Sequence, residues 1–200
     1  MKDAFAALGF ERRPILDCAE IQERYLRQAA LLHPDSAGGD ALAFAELGTA
    51  RALLENPAER LYHLIQLQGG ENAVSGDHSA FSLPNEAHKM MDLAALLLEA
   101  HDRVSKLQNS LTPLARAVLI QPGRQCLLRL ERAEKDIQLI LNSLDKEIRI
   151  ADGDWPNTSL VKLARIATTF RFVQKRETQI SESLFQLRNA LPVRSGTGLS

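Results

Sequence analysis

Apolar residues in this chain recur in steps of three and four, the spacing that places them on one face of an α-helix. Phe5 and Leu8 share a face in a short segment, Asp3 to Leu8, closed by Gly9. After a polar turn, Asp17 and Glu20 stand at capping-box spacing ahead of Ile21, Tyr25, Ala29 and Leu32, which predicts a second helix. Pro34 ends it, because proline lacks a donor and disfavours helix at the residue before it. Asp40 predicts the cap of a third helix to about Glu55, with Leu42, Leu47, Ala50 and Leu54 on its stripe. Asn56 and Pro57 have the N-cap and N1 chemistry of a fourth helix, Ala58 to Gln68, ended by Gly69-Gly70.

The second half begins with a polar, turn-rich stretch over 69–85 that predicts a linker. Asn85 is the expected cap of a helix from Glu86 to Gln108 whose seam is Leu93, Leu97, Ala100, Val104, Leu107 and Leu111. A second apolar line on that helix, Met91, Ala94/Ala95 and Leu98, lies a quarter turn or more away. Leu111 to Ile120 predicts a short helix packed across a bundle and bounded by Gln121-Pro122-Gly123. A long helix from Arg124 to Ile150 is expected next. Asp152-Gly153-Asp154 breaks it. Pro156 is placed for the first turn of a last helix lined by Leu160, Leu163, Ala167, Phe170, Val173, Ile180, Leu184 and Leu187. Phe172 falls off that seam, so it should be exposed or packed on something else. The fold class is all-α, and the Ser/Gly-rich residues 191–200 are expected to be a disordered tail.

Composition narrows the function more than the fold. The apolar share is mostly Leu, Ala and Ile, with aromatics at 5%, which favours helices over strands. A net charge of -1 gives no bulk attraction to nucleic acid or anionic lipid. Cys18 and Cys126 are far apart and have no metal-ligand spacing, so neither a disulfide framework nor a metal site is expected. The N-terminus does not read as a signal peptide, and no apolar run is long enough to span a bilayer. A cytoplasmic protein without cofactor, nucleic acid or membrane partner is the expectation.

The remaining signal is His33-Pro34-Asp35, set at the end of one amphipathic helix and followed by a Gly-rich turn into the next. Taken with Tyr25-Leu26-Arg27-Gln28-Ala29 before it and Asn56-Pro57-Ala58-Glu59-Arg60-Leu61-Tyr62 after it, the segment Asp3–Gln68 resembles a J-domain. The resemblance implies an antiparallel helical hairpin with the tripeptide at its tip, binding to an Hsp70 chaperone and stimulation of its ATP hydrolysis. His33, Pro34 and Asp35 would carry the trigger, and Arg24 and Arg27 would form a basic face towards the partner. Ser36 stands where many members have Lys or Arg, and residues 1–70 are mildly acidic.

A J-domain over 1–68, a linker over 69–85 and a three-helix bundle over 86–190 resemble the HscB family, co-chaperones of iron–sulfur cluster assembly. Arg60-Leu61-Tyr62-His63-Leu64, the pair Met90-Met91, Arg171-Phe172-Val173 and Trp155 carry this resemblance. It implies a client surface of Met90, Met91, Ala94, Leu98 and Phe172 that binds a scaffold protein of the IscU type. Ala95 and Leu98 correspond to acidic family positions, and the stretch Leu111–Gly123 is longer than the family's.

Other readings stay open beside it. They are a J-domain adaptor for an unrelated client, and a helical scaffold that oligomerises through its extra apolar face without any Hsp70 role. As a co-chaperone the protein is expected to be a monomer or weak dimer. Enzyme chemistry is not expected, because nothing brings His33, His63, His78, His88 and His101 together and no nucleophile or phosphate-loop motif accompanies them.

Overall fold

The structure is a computed structural model that describes residues 2–36, 39–69 and 84–192, with side chains from residue 91 in the last of these. Among the described residues there are seven helices and no strand. They are α1 (Ala4–Leu8), α2 (Cys18–Leu32), α3 (Ala41–Glu55), α4 (Pro57–Leu67), α5 (Pro84–Gln108), α6 (Pro113–Gly153) and α7 (Leu160–Ala190). None of them is long and apolar enough to cross a membrane.

The chain divides into two compact units. One comprises Met1–Ala80 with Asn142–Phe172, the other Phe81–Leu141 with Val173–Ser200. Helices α6 and α7 therefore each contribute to both units.

The starts of the first four helices follow from capping chemistry. The carboxylates of Asp3, Asp17 and Asp40 and the amide oxygen of Asn56 each accept from backbone N–H groups of the first helical turn. Gly9 closes α1 in the left-handed region at φ 70°, where a Cβ would be strained, and Phe10 N–H then reaches back to the Phe5 carbonyl at 2.8 Å. His33 ends α2 in extended backbone ahead of Pro34, the conformation expected of a residue before proline. Contacts between α2 and α3 pair Tyr25 with Arg51 at one end and His33 with Phe44 at the other, so the two helices run antiparallel.

The first unit's core holds Phe5, Leu8, Ile21, Leu47, Leu54 and Leu64, with Tyr25 and Trp155 packed against them. Full burial of each large side chain is worth about 1.5–3 kcal/mol. In the second unit Leu93, Leu96, Ala100, Val104 and Leu107 of α5 are buried, as are Cys126, Leu130, Ile137 and Leu141 of α6 and Ile180, Leu184 and Leu187 of α7. Leu96 takes an inner place that the spacing assigned to Leu97, which is half-buried.

Four expectations are corrected. The helix expected to begin after an Asn85 cap begins at Pro84. The short helix over Leu111–Ile120 and the long one from Arg124 are a single helix, α6, that runs through Pro122. Gly123 is buried where a Cβ would stand 3.0 Å from Leu191 Cδ2 and 3.4 Å from Leu107 Cδ1, so it serves close packing rather than a helix stop. Leu111 to Val118 do not pack across a bundle: all eight residues are exposed, and Leu111 leaves the α5 seam. Finally, Pro156 lies in a turn, joined to Trp155 by a cis peptide bond, and α7 starts at Leu160.

Candidate functional site

The turn after α2 is fixed by backbone hydrogen bonds. Ser36 N–H donates to the His33 carbonyl at 2.8 Å, Gly39 N–H to the Ser36 carbonyl at 2.9 Å, and Asp40 N–H to the Leu32 carbonyl at 3.1 Å. Ser36 Oγ adds a bond to the Ala30 carbonyl at 3.0 Å. A Cβ on Gly39 would fall 1.9 Å from the His33 carbonyl oxygen, so only glycine allows the chain to return this closely over the end of α2.

Within this frame the imidazole of His33 is held from two sides. Its Nδ1 accepts the backbone N–H of Asp35 at 3.2 Å, and its ring meets Phe44 of α3 edge to face at 5.3 Å between centroids. An accepting Nδ1 belongs to the tautomer with the proton on Nε2. The Asp35 carboxylate is 91% exposed, with Oδ2 3.6 Å from that same Nδ1. The result is a carboxylate presented to solvent from an ordered turn, a geometry suited to a charge-assisted hydrogen bond with a cationic side chain of another molecule.

The two arginines of α2 differ. Arg24, expected on a basic face towards the partner, is partly exposed and engaged in the fold. Its guanidinium pairs with Glu20 at 2.5 Å, donates to the Gly9 carbonyl and lies 4.1 Å from the centre of the Phe10 ring. Arg27 is exposed and, among the described residues, pairs along its own helix, with Glu23 at 2.7 Å. Such an i,i+4 pair is worth about 0.3–0.5 kcal/mol, so a competing carboxylate can recruit Arg27 at little cost.

Of the residues expected to bind a client, Met91 and Leu98 are 73% and 74% exposed on α5, with Ala94 half-buried between them on the same face. Met90 lies in α5, and its side chain falls outside the described residues. Phe172 is half-buried and belongs to the first unit, whereas Met91, Ala94 and Leu98 belong to the second.

Arg171, beside Phe172, is a strut of the first unit. Its Nε and Nη2 grip the Glu59 carboxylate at 2.7–2.9 Å, and its guanidinium sits 4.3 Å from the centre of the Tyr62 ring. The Tyr62 hydroxyl in turn bonds Thr168 Oγ1 at 2.8 Å, so α4 is fastened to the first half of α7 by a continuous polar line. Asp152, near the end of α6, likewise holds the loop before α2 through Arg13 at 2.6 Å and Ile15 N–H at 3.2 Å.

Two buried polar residues complete the support and were not singled out for it by the sequence. Arg60 donates from Nε to the Pro14 carbonyl at 2.9 Å and from Nη1 to the Leu54 carbonyl at 2.6 Å. Burial lowers its pKa from the usual value, with carboxylates at Asp145 and Asp152 acting the other way. His63 is 2% exposed, stacks on Phe5 and accepts the Ala4 N–H at Nε2, 3.0 Å away. Its Nδ1, which must then carry the proton, has no hydrogen-bond partner among the described residues. Burial lowers the His63 pKa, opposed by Asp3 and reinforced by Arg12. Neither role has a local signature, because each depends on carbonyls or N–H groups distant in sequence.

No protein-family model matches this chain, and no curated protein matches it either.

Proposed function

We propose that this chain is a J-domain-type co-chaperone that docks on an Hsp70 chaperone, stimulates its ATPase and brings it a client protein. The observation that carries this reading is the turn at His33-Pro34-Asp35. It presents an exposed carboxylate from a backbone conformation enforced by His33, Phe44 and Gly39. On this reading Asp35 engages an arginine of the partner at its ATPase domain. Arg27 supplies the movable cation of the α2 face, while Arg24 keeps α2 seated on Gly9 and Phe10. The co-chaperone itself makes and breaks no covalent bond. Its contribution is to hold trigger and client on one chain, which raises their effective concentration at the partner.

The client in this proposal is an iron–sulfur cluster scaffold protein, bound through the apolar line of Met91 and Leu98. Exposed, adaptable methionine beside leucine suits a protein-binding surface. The location that fits this role is the cytoplasm. The test is steady-state ATP hydrolysis by Hsp70 with the co-chaperone, with and without a purified scaffold protein. The scaffold should add to the stimulation, Met91→Ser/Leu98→Ser should remove that addition, and Asp35→Asn should remove stimulation altogether. Stimulation that is indifferent to Asp35→Asn would refute the reading, and an addition that survives the α5 double variant would refute the client surface.

A further inference from the structure

The outer side of α2 changes character as it nears the turn. Its first half is charged but self-neutralising, because Glu20 pairs with Arg24 and Glu23 with Arg27. From Gln28 to Leu32 the helix carries no charge. Leu26, Arg27, Ala30 and Leu31 are exposed, Leu26 by 55% and Leu31 by 72%. At about 100° per residue they share one face about 140° wide, with Ala30 and Arg27 between the two leucines. The core does not account for this face, since α2 turns Ile21, Tyr25, Ala29 and Leu32 towards it. Leu42, just beyond the turn at the start of α3, is 69% exposed as well. The bond from Asp40 N–H to the Leu32 carbonyl joins the two helix ends, so exposed leucines precede and follow the segment that presents Asp35.

Size decides what covers the strip. A specific interface takes about 800 Å² from each partner, a patch roughly 16 Å in radius. Leu31 stands four residues before Asp35, and Leu26 lies about 9 Å along the axis from the end of α2. The inner side of α2 is closed by the core. A partner of ordinary size that engages the Asp35 carboxylate therefore lies over Leu31 and reaches Leu26. A wholly acidic surface laid there would find one movable cation, Arg27, and would lose water from its other carboxylates with nothing in return.

Resting on the J-domain reading, we propose that Leu26, Ala30 and Leu31 form an apolar docking strip beside the trigger. The Hsp70 that this chain serves then carries an apolar surface next to the arginine that meets Asp35, with a single acid for Arg27.

ATP hydrolysis by each Hsp70 of the same cell, titrated with the full chain, separates docking from triggering. Leu26→Lys/Leu31→Lys suits an exposed helix face and should keep the helical circular dichroism signal. Its half-maximal concentration should rise about tenfold or more, with the saturating rate kept. The neutral pair Leu26→Gln/Leu31→Gln should raise it likewise, whereas Leu26→Met/Leu31→Met should stay within about twofold of wild type. Asp35→Asn should instead lose the saturating rate. An acidic partner surface gives the opposite sign, because two added lysines would lower the half-maximal concentration. Lysine and glutamine variants that act at the wild-type concentration or below it would overturn the docking strip and leave the trigger standing. So would a wild-type dimer in sedimentation that the lysine pair dissociates without changing stimulation, which would assign the strip to a second copy. Stimulation by Asp35→Asn, or none by wild type, would overturn the J-domain reading and this proposal with it.

Discussion

His33 accepts the backbone N–H of Asp35 at its Nδ1, 3.2 Å away, so the imidazole and the carboxylate it precedes are parts of one ordered turn. The side chain of one residue sets the direction of the other's backbone. Phe44, against the edge of the ring, ties that direction to α3.

The same turn depends on Gly39. Gly39→Ala places a methyl group on the His33 carbonyl, and exposed backbone can move to relieve it. The expected result is a reshaped loop on a folded protein. Helical circular dichroism should be unchanged, the urea midpoint should fall by an amount equivalent to about 1 kcal/mol or less, and Hsp70 stimulation should fall at least tenfold. Full stimulation by the alanine variant would show that the close return of the loop is not needed.

Arg60 offers a stability test remote from the trigger. Arg60→Leu leaves the carbonyls of Pro14 and Leu54 without their donor in a buried setting, which should cost about 2–4 kcal/mol. Urea denaturation measures the loss. Arg60→Lys should recover only part of it, because a single ammonium does not reproduce the two-armed geometry.

Stability should also depend on pH through His63. Burial holds its folded pKa below the usual 6.5, so the unfolded chain takes up the proton first as pH falls. Stability is therefore fully present above about pH 6.5 and is lost progressively below it, until the folded value is passed. Asp3, with Oδ1 3.9 Å from Nε2, moderates the loss, and Arg12 adds to it. Urea midpoints at pH 7.5 and 5.5 read the effect. His63→Gln keeps an acceptor for Ala4 N–H without the titration and should flatten the difference; an unchanged difference would assign it to other groups.

The Glu59–Arg171 pair is half exposed, so its contribution should be modest. A double-mutant cycle of Glu59→Gln and Arg171→Ala, read by urea denaturation, should give a coupling of about 0.5–1 kcal/mol, near the upper end for exposed pairs because the geometry is bidentate. A coupling near zero would mean that the Glu59–Arg171 pair adds nothing to the Arg171–Tyr62 and Tyr62–Thr168 contacts between α4 and α7.

Elements set by local chemistry were legible in the sequence. Asp17, Asp40 and Asn56 announced the helices they cap, and Pro34 announced the end of α2. Several of the failures share a cause, because the feature is decided by distant contacts. Pro122 passes inside α6, and Gly123 next to it lies against Leu191 and Leu107, a packing that no local rule reveals. Arg24 has the spacing of a solvent-facing residue, but Gly9 and Phe10 claim it. Arg171 and Asp152 hold the first unit together across more than a hundred residues of sequence. The turn at His33-Pro34-Asp35 was legible as a motif, whereas the supports that give it shape, Phe44 and Gly39, were not.

The most direct test of the proposed function compares wild type with His33→Gln in stimulating ATP hydrolysis by Hsp70, alongside circular dichroism of both proteins. Glutamine removes the ring that meets Phe44 and the Nδ1 that positions Asp35, while α2 and α3 keep their caps and core. Wild type should stimulate hydrolysis, and the folded variant should leave it at the basal rate. Equal stimulation by the two proteins, or none by wild type, would contradict the account.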